Sequence, residues 1–266
     1  MPDGTVASFN AHVGTDGWGR PYDLIGACRK LDAGVIVLQE TFAPLDAPSE
    51  AEEIASELGY EFRELPLARA WRSRVPVWEG KGWEPTRALG RRTKSLRVGG
   101  KGLAAAGDDI AAFEEGTWGL AILSRHEVVG SDTIELGRLG KDYARRAALV
   151  VQLDVSGRGD RPFTVVGTHA AHLTAGSPLQ FHRLRAALAG RVGPAALAGD
   201  MNLWGPPLVL LLPGWRRAVK GRTWPAWRPH SQTDHILVSA GVGVVDGRVV
   251  YVGNSDHRAV RAELKW

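Results

Sequence analysis

Thiols are almost missing from this chain: Cys28 is the one cysteine in 266 residues. An internal disulfide and a cysteine-based zinc site are therefore excluded, and a reducing cytoplasm is the expected location. Long apolar runs are missing as well. The longest, Leu208 to Pro213, is far short of the about 20 residues that cross a bilayer. Met1-Pro2-Asp3-Gly4-Thr5 carries no basic region followed by an apolar stretch, so no secretory signal is expected. There is no phosphate loop, no serine nucleophile elbow and no cysteine nucleophile. What remains is ordinary for a globular protein: 44% hydrophobic and 23% charged residues. A chain of this length buries roughly 70–75% of its unfolded surface and needs no covalent or metal staple.

Short runs rich in Val, Ile and Ala recur, and many end in a polar residue of a chemically useful type. Thr5–Phe9 ends at Asn10, Gly34–Gln39 at Glu40, and Thr164–Thr168 at His169. Ala195–Gly199 ends at Asp200, with Asn202 close behind, and His235–Val238 follows Asp234. Their length and composition predict buried strands, whose ends share a rim where loops hold side chains on a rigid sheet. Helical spacing predicts helices over Tyr22–Leu31, over Ala51–Leu58 with an acidic outer face, and over Gln180–Gly190 with Phe181, Leu184 and Leu188 on one side.

Residues 66–117 read differently. They lack clean periodicity, hold many Gly and Arg, and include Trp71, Trp78 and Trp83. They are expected to form an insertion over one face of a single domain spanning 1–266, helical in part at Asp108–Glu115. From Arg69 to Lys101, ten basic residues stand against Glu79 and Glu84, a window of +8 in a chain of +4. Such a local field points to an anionic partner, with nucleic acid the expected class and Arg91, Arg92 and Lys94 the candidate contacts. A solvated loop is the alternative. Trp224 and Trp227 are candidate substrate contacts or core.

The strand-end inventory comprises Asn10, Glu40, His169, Asp200, Asn202, Asp234, Asp256 and His257. Hard carboxylate and carbonyl oxygens suit Mg²⁺ or Mn²⁺, and a metal beside His and Asp is equipment for hydrolysing a phosphate ester. His12 has no such company and is expected at the surface.

Leu38-Gln39-Glu40, Gly199-Asp200-Met201-Asn202 and Ser255-Asp256-His257 resemble the signatures of the endonuclease/exonuclease/phosphatase superfamily. Trp118-Gly119 with Ala121–Arg125 resembles its central strand, and Thr168-His169 with His172 its Thr-His-Leu-x-His segment. Thr223–Pro229 running into Thr233–Ser239 resembles its late Phe-Pro-x-Trp-x-Pro…Ile-Asp-x-Ile segment. These segments follow the family's order over residues 5–264. The resemblance implies an α/β fold, a four-layer αββα sandwich of two packed mixed sheets flanked by helices. It implies metal-dependent phosphoester hydrolysis, with Glu40 the principal ligand and Asn10 and Asp256 beside it. It further implies that His169 contacts the phosphate, that Asn202 positions water or phosphate, and that Asp234 holds His257. The general base is Asp200 or His257. Leu120 stands where relatives often have Asn, and Ala171 where they have an acid, which leaves His172 at most a supporting part. Nucleic acid is the expected substrate. A phospholipid head group or small metabolite is the alternative, and a catalytically silent binding module the alternative of another class.

Overall fold

The structure, a computed structural model, describes residues 4–73, 83–85, 97–98, 101–102, 113–140, 142, 144–155, 162–172, 176–190 and 193–266. One sheet has seven strands in the order β14-β15-β1-β2-β7-β3-β4, and a second has six in the order β12-β13-β11-β10-β9-β8. In the first, β1 (Thr5–Asn10) and β2 (Val35–Pro44) run parallel. They are flanked by β15 (Ala259–Lys265), β14 (Gly243–Val250), β7 (Phe113–Ser124), β3 (Glu61–Ser73) and β4 (Trp83–Pro85). In the second, β10 (Phe163–His169) and β11 (Ala195–Asp200) run parallel beside β9 (Arg146–Asp154), β8 (Glu127–Gly137), β13 (Asp234–Val238) and β12 (Arg216–Arg217). A separate two-stranded ribbon joins β5 (Arg97–Val98) to β6 (Lys101–Gly102).

The inner faces of the two sheets bury Val6, Val35, Val37 and Ile122 against Val151, Val165, Ala196 and Ile236. Each Val or Ile among them is worth about 1.5–3 kcal/mol when fully buried. The outer faces are covered by helices. On the first sheet, α1 (Leu24–Leu31) and α2 (Glu50–Leu58) contribute Ala27, Leu31, Ala51 and Ile54. On the second, α3 (Ser177–Leu188) and α4 (Gly205–Leu211) contribute Phe181, Leu184 and Leu208. The result is the expected four-layer sandwich. Asp23 caps α1 by accepting from Gly26 N, and Ser49 caps α2 by accepting from Glu52 N, so both helices start where a side chain satisfies an orphan amide.

Three expectations change. The flanks of the 66–117 segment are strand: β3 and β7 pair from Glu61↔Ser124 to Ser73↔Phe113, with a register shift between Pro66 and Ala68. That shift breaks the two-residue alternation on which the sequence reading relied. Glu114 and Glu115 lie in β7, not in a helix, because they face cross-strand arginines: Arg72 pairs with Glu114 at 2.7 Å and Arg69 with Glu115 at 2.8 Å. The rest of the expected helix, Asp108–Ala112, lies outside the described residues. Finally, His12 is buried at 2% exposure, in a single 3₁₀ turn (His12–Gly14) where its Nδ1 lies 3.1 Å from Thr15 O.

Candidate active site

Each parallel pair delivers its polar residues at its C-terminal end, and the two ends meet. From the first sheet come Asn10 and Glu40. Glu40 sits where β2 slips against β7, between Gln39↔Leu120 and Thr41↔Gly119, with φ of 54°. A left-handed bulge residue of this kind re-aims its side chain, and such strain gathers at functional sites. Asn10 accepts from His12 N–H through Oδ1 at 3.0 Å. Its Nδ2 donates to Glu40 Oε1 at 3.4 Å and to Asp200 Oδ2 at 3.2 Å. The amide oxygen expected at a metal thus faces the backbone, and the side chain ties two carboxylates from opposite sheets.

From the second sheet come His169, Asp200 and Asp234, the last two opposite each other in the β11–β13 register. Gly199 precedes Asp200 because a Cβ there would collide with Thr168 O. Asp200 Oδ1 accepts from Asn202 N–H at 2.9 Å, an Asx turn that holds Asn202 at φ of 47°. Asn202 Nδ2 then reaches His169 Nε2 at 3.2 Å and Ala170 O at 2.9 Å. His257 arrives from the loop before β15. Its Nδ1 donates to both oxygens of Asp234 at 2.9 and 3.2 Å, and its backbone N–H donates to Ser255 Oγ at 3.1 Å. Ser255 in turn donates to Asn10 O at 2.7 Å.

Asp200 is the hub. Its Oδ2 lies 3.7 Å from Nε2 of both His169 and His257. Burial pushes its carboxyl up to about 7, aided by Asp234 and Glu40 and opposed by His257. Burial works against an imidazolium at His257, but Asp234, Asp200 and Asp256 outweigh it and push the ring up to about 10. Asp256 Oδ1 lies 4.0 Å from His257 Nε2.

The residues fit a divalent cation at Glu40. Its Oε2 is buried without a hydrogen-bond partner, a costly state for a carboxylate oxygen that a hard cation would relieve. Among the described residues, ligand atoms of Asp200, Asp234 and His257 also lie within 4.8 Å of one another. Asp234 there is already engaged by the imidazole.

Two neighbours, Arg146 and Asp142, are not among the residues singled out in the sequence. Arg146 is buried, pairs with Asp142 at 2.8 Å, donates to His169 O at 3.3 Å and lies 5.0 Å from the centre of the Trp118 ring. Trp118 is fully buried, 5.3 Å from the His169 ring. Only the ending of Ala144-Arg145-Arg146 where β9 begins could have flagged that arginine. Trp224 and Trp227 are exposed rather than core, and Trp224 Nε1 donates to Asp256 Oδ2 at 3.4 Å. His172 is exposed. Arg91, Arg92 and Lys94 lie outside the described residues.

The endonuclease/exonuclease/phosphatase family model matches residues 7–257. The chain belongs to that family, whose members hydrolyse phosphate esters. Solved structures share the fold at low identity. An endonuclease/exonuclease/phosphatase from Beutenbergia cavernae DSM 12333 is 22% identical, with a TM-score of 0.64, over 98% of this chain and 71% of that one. The mannosyl-6-phosphatase of Bacteroides thetaiotaomicron VPI-5482 is 15% identical, with a TM-score of 0.61, over 98% and 99%. Truncated TDP2 of Caenorhabditis elegans is 14% identical, with a TM-score of 0.59, over 98% and 97%. No curated protein matches the chain.

Proposed function

We propose that the protein is a Mg²⁺- or Mn²⁺-dependent phosphoester hydrolase whose reaction is run by the Glu40–His169–Asp200–Asp234–His257 cluster. The observation that carries this reading is the gathering, around Asp200 and His169, of a partnerless buried carboxylate oxygen on Glu40 and a carboxylate-held imidazole on His257. Glu40, joined by Asp256 as the family resemblance implies, would hold the cation, which when bound supplies positive charge to the phosphoryl oxygens. Asp234 fixes the His257 ring with Nδ1 protonated and Nε2 directed to the side where Asp200 lies. Ringed by three carboxylates, that imidazole favours its cationic form and donates to a phosphate oxygen. Asp200 is left to orient and deprotonate the attacking water. Asn202 and His169, bonded to each other, bear charge that develops on the phosphate, and Asn10 bridges Glu40 and Asp200.

For the substrate, nucleic acid is supported by the sequence charge of Arg69–Lys101. A small phosphate ester is supported by the pairing of Arg69 and Arg72 with Glu115, Glu114 and Glu50, which leaves those two cations neutralised. Assays with Mg²⁺ on DNA, RNA, phosphoinositides and small phosphate esters test the reading. Hydrolysis should stop in EDTA. His257→Ala should lower kcat by at least about 100-fold, and Asp234→Asn by less. Turnover undiminished by EDTA on every ester would overturn it.

A further inference from the structure

Three exposed tryptophans gather beside the site. Trp18, Trp224 and Trp227 are 49%, 36% and 56% exposed. One exposed ring is ordinary, but several exposed rings gathered beside one site mark a contact surface. Trp18 and Trp227 lie with ring centres 4.9 Å apart. Trp224 is 6.4 Å from the His257 ring and bonded to Asp256. The segment that carries Trp224 and Trp227 is clamped to the His257 loop: Ala226 N–H donates to Asp256 O at 2.7 Å, and Arg258 Nε to Ala226 O at 2.8 Å.

Trp18 is presented by a loop built for the purpose. The buried Asp16 accepts from Trp18 N–H and Arg20 N–H, both at 2.9 Å, and from Arg20 Nε at 2.7 Å. Asp16 N–H donates back to Arg20 O at 2.8 Å. Gly17 packs so closely on the neighbouring surface that a Cβ would sit 3.0 Å from Trp227 and 3.2 Å from Asp256. The loop is thus fixed to the wall of the site, and holding a ligand on it costs little further ordering.

We propose that Trp18 and Trp227, with Trp224 next to His257, bind an aromatic ring carried on the alcohol side of the phosphate ester; this rests on the phosphoester reading above. A ring is favoured over an alkyl tail because the platform is edged with polar and charged groups. The Arg20 guanidinium lies 5.3 Å from the Trp18 ring centre and His230 lies 5.3 Å from that of Trp224. Flat π faces, that of Trp18 with the Arg20 guanidinium already over it, suit a further flat ring and leave an alkyl chain beside polar atoms. The ring can belong to a nucleobase or to a phenol, which the test separates.

The test is binding by calorimetry in Mg²⁺ of two matched pairs: adenosine 5′-monophosphate with ribose 5-phosphate, and phenyl phosphate with methyl phosphate. In each pair the ring is the main difference. The wild type should prefer at least one ring-bearing partner by about tenfold. Trp18→Ala and Trp227→Ala should each move that ratio towards one, and Trp18→Phe should restore most of it. Preference in the first pair alone assigns a nucleobase, and preference in both assigns any aryl group. Phosphate esters that bind with no preference for the ring, or ratios untouched by both alanine variants, would overturn the platform and leave the hydrolase reading intact. Absence of binding by all four, together with no hydrolysis of any ester in the panel, would overturn both.

Discussion

At the scale of single residues, His235 shows how a buried titrating group marks the fold. Its Nε2 lies 2.9 Å from Leu203 O and 3.2 Å from Gln232 O, while Nδ1 is buried without a partner. Burial pushes the imidazole down to about 4 from its ordinary 6.5. Between those values the unfolded chain takes a proton that the native chain refuses. Stability from this residue is therefore complete above pH 6.5 and falls as the pH drops towards 4, by about 3 kcal/mol at most. Urea midpoints measured from pH 7 to pH 4 should fall more steeply for wild type than for His235→Gln, which can still donate to Leu203 O. Parallel slopes would mean that the imidazole is not held neutral. The chemistry of most site residues was legible in the sequence, because Glu40, His169, Asp200 and Asp234 each sit at the end of an apolar run. Arg146 was not, because its role depends on Trp118 and His169, which approach it only in three dimensions.

Among the elements, the long β3 and β7 strands are tied to α2 by Arg72. This guanidinium bonds Glu50 on α2, Glu114 on β7 and Val13 O after β1, and lies 4.4 Å from the centre of the Phe42 ring. Burial pushes Glu50 up to about 7 even though Arg72 opposes the shift. Removing the cation leaves two largely buried carboxylates uncompensated, a loss of about 3–5 kcal/mol. Arg72→Ala should therefore unfold at lower denaturant than wild type. The gap should be wider at pH 8, where Glu50 must carry its charge, than at pH 5, where it can bind a proton. Equal gaps at both pH values would show that Glu50 does not depend on Arg72. In the sequence this arginine is only one member of a basic window. Its charge is spent inside the protein, and only the cross-strand register reveals that. The same register explains why Glu114 and Glu115, the end of the helix expected over Asp108–Glu115, lie in a strand: Arg72 stands opposite Glu114, and Arg69 reaches Glu115 diagonally.

Across the whole molecule, the site is divided between sheets, with Asn10 and Glu40 on one and His169, Asp200 and Asp234 on the other. The spacing of these groups therefore depends on how closely the sheets pack. Gly167 sets part of that spacing: a Cβ there would lie 2.8 Å from Val37 Cγ1 and 3.2 Å from Ile122 Cδ1 of the facing sheet. Gly167→Ala should cost about 1–3 kcal/mol by overpacking and should lower kcat as well, although the residue touches no substrate. A thermal melt and a kcat measurement check both. A loss of stability with kcat unchanged would mean that the sheets relax without moving the cleft. Strand content was legible along the chain, but the pairing of the sheets was not, since Gly167 looks like any small strand residue until its opposite wall is known.

The hydrogen bonds from Asn10 to Glu40 and Asp200 have a further consequence. One amide bridges the two halves of the sandwich at their most polar seam. A guest that touches Glu40 and His169 together would reinforce that rivet. Occupancy of the cleft and cohesion of the two sheets are then one equilibrium, and whatever loosens the seam also empties it.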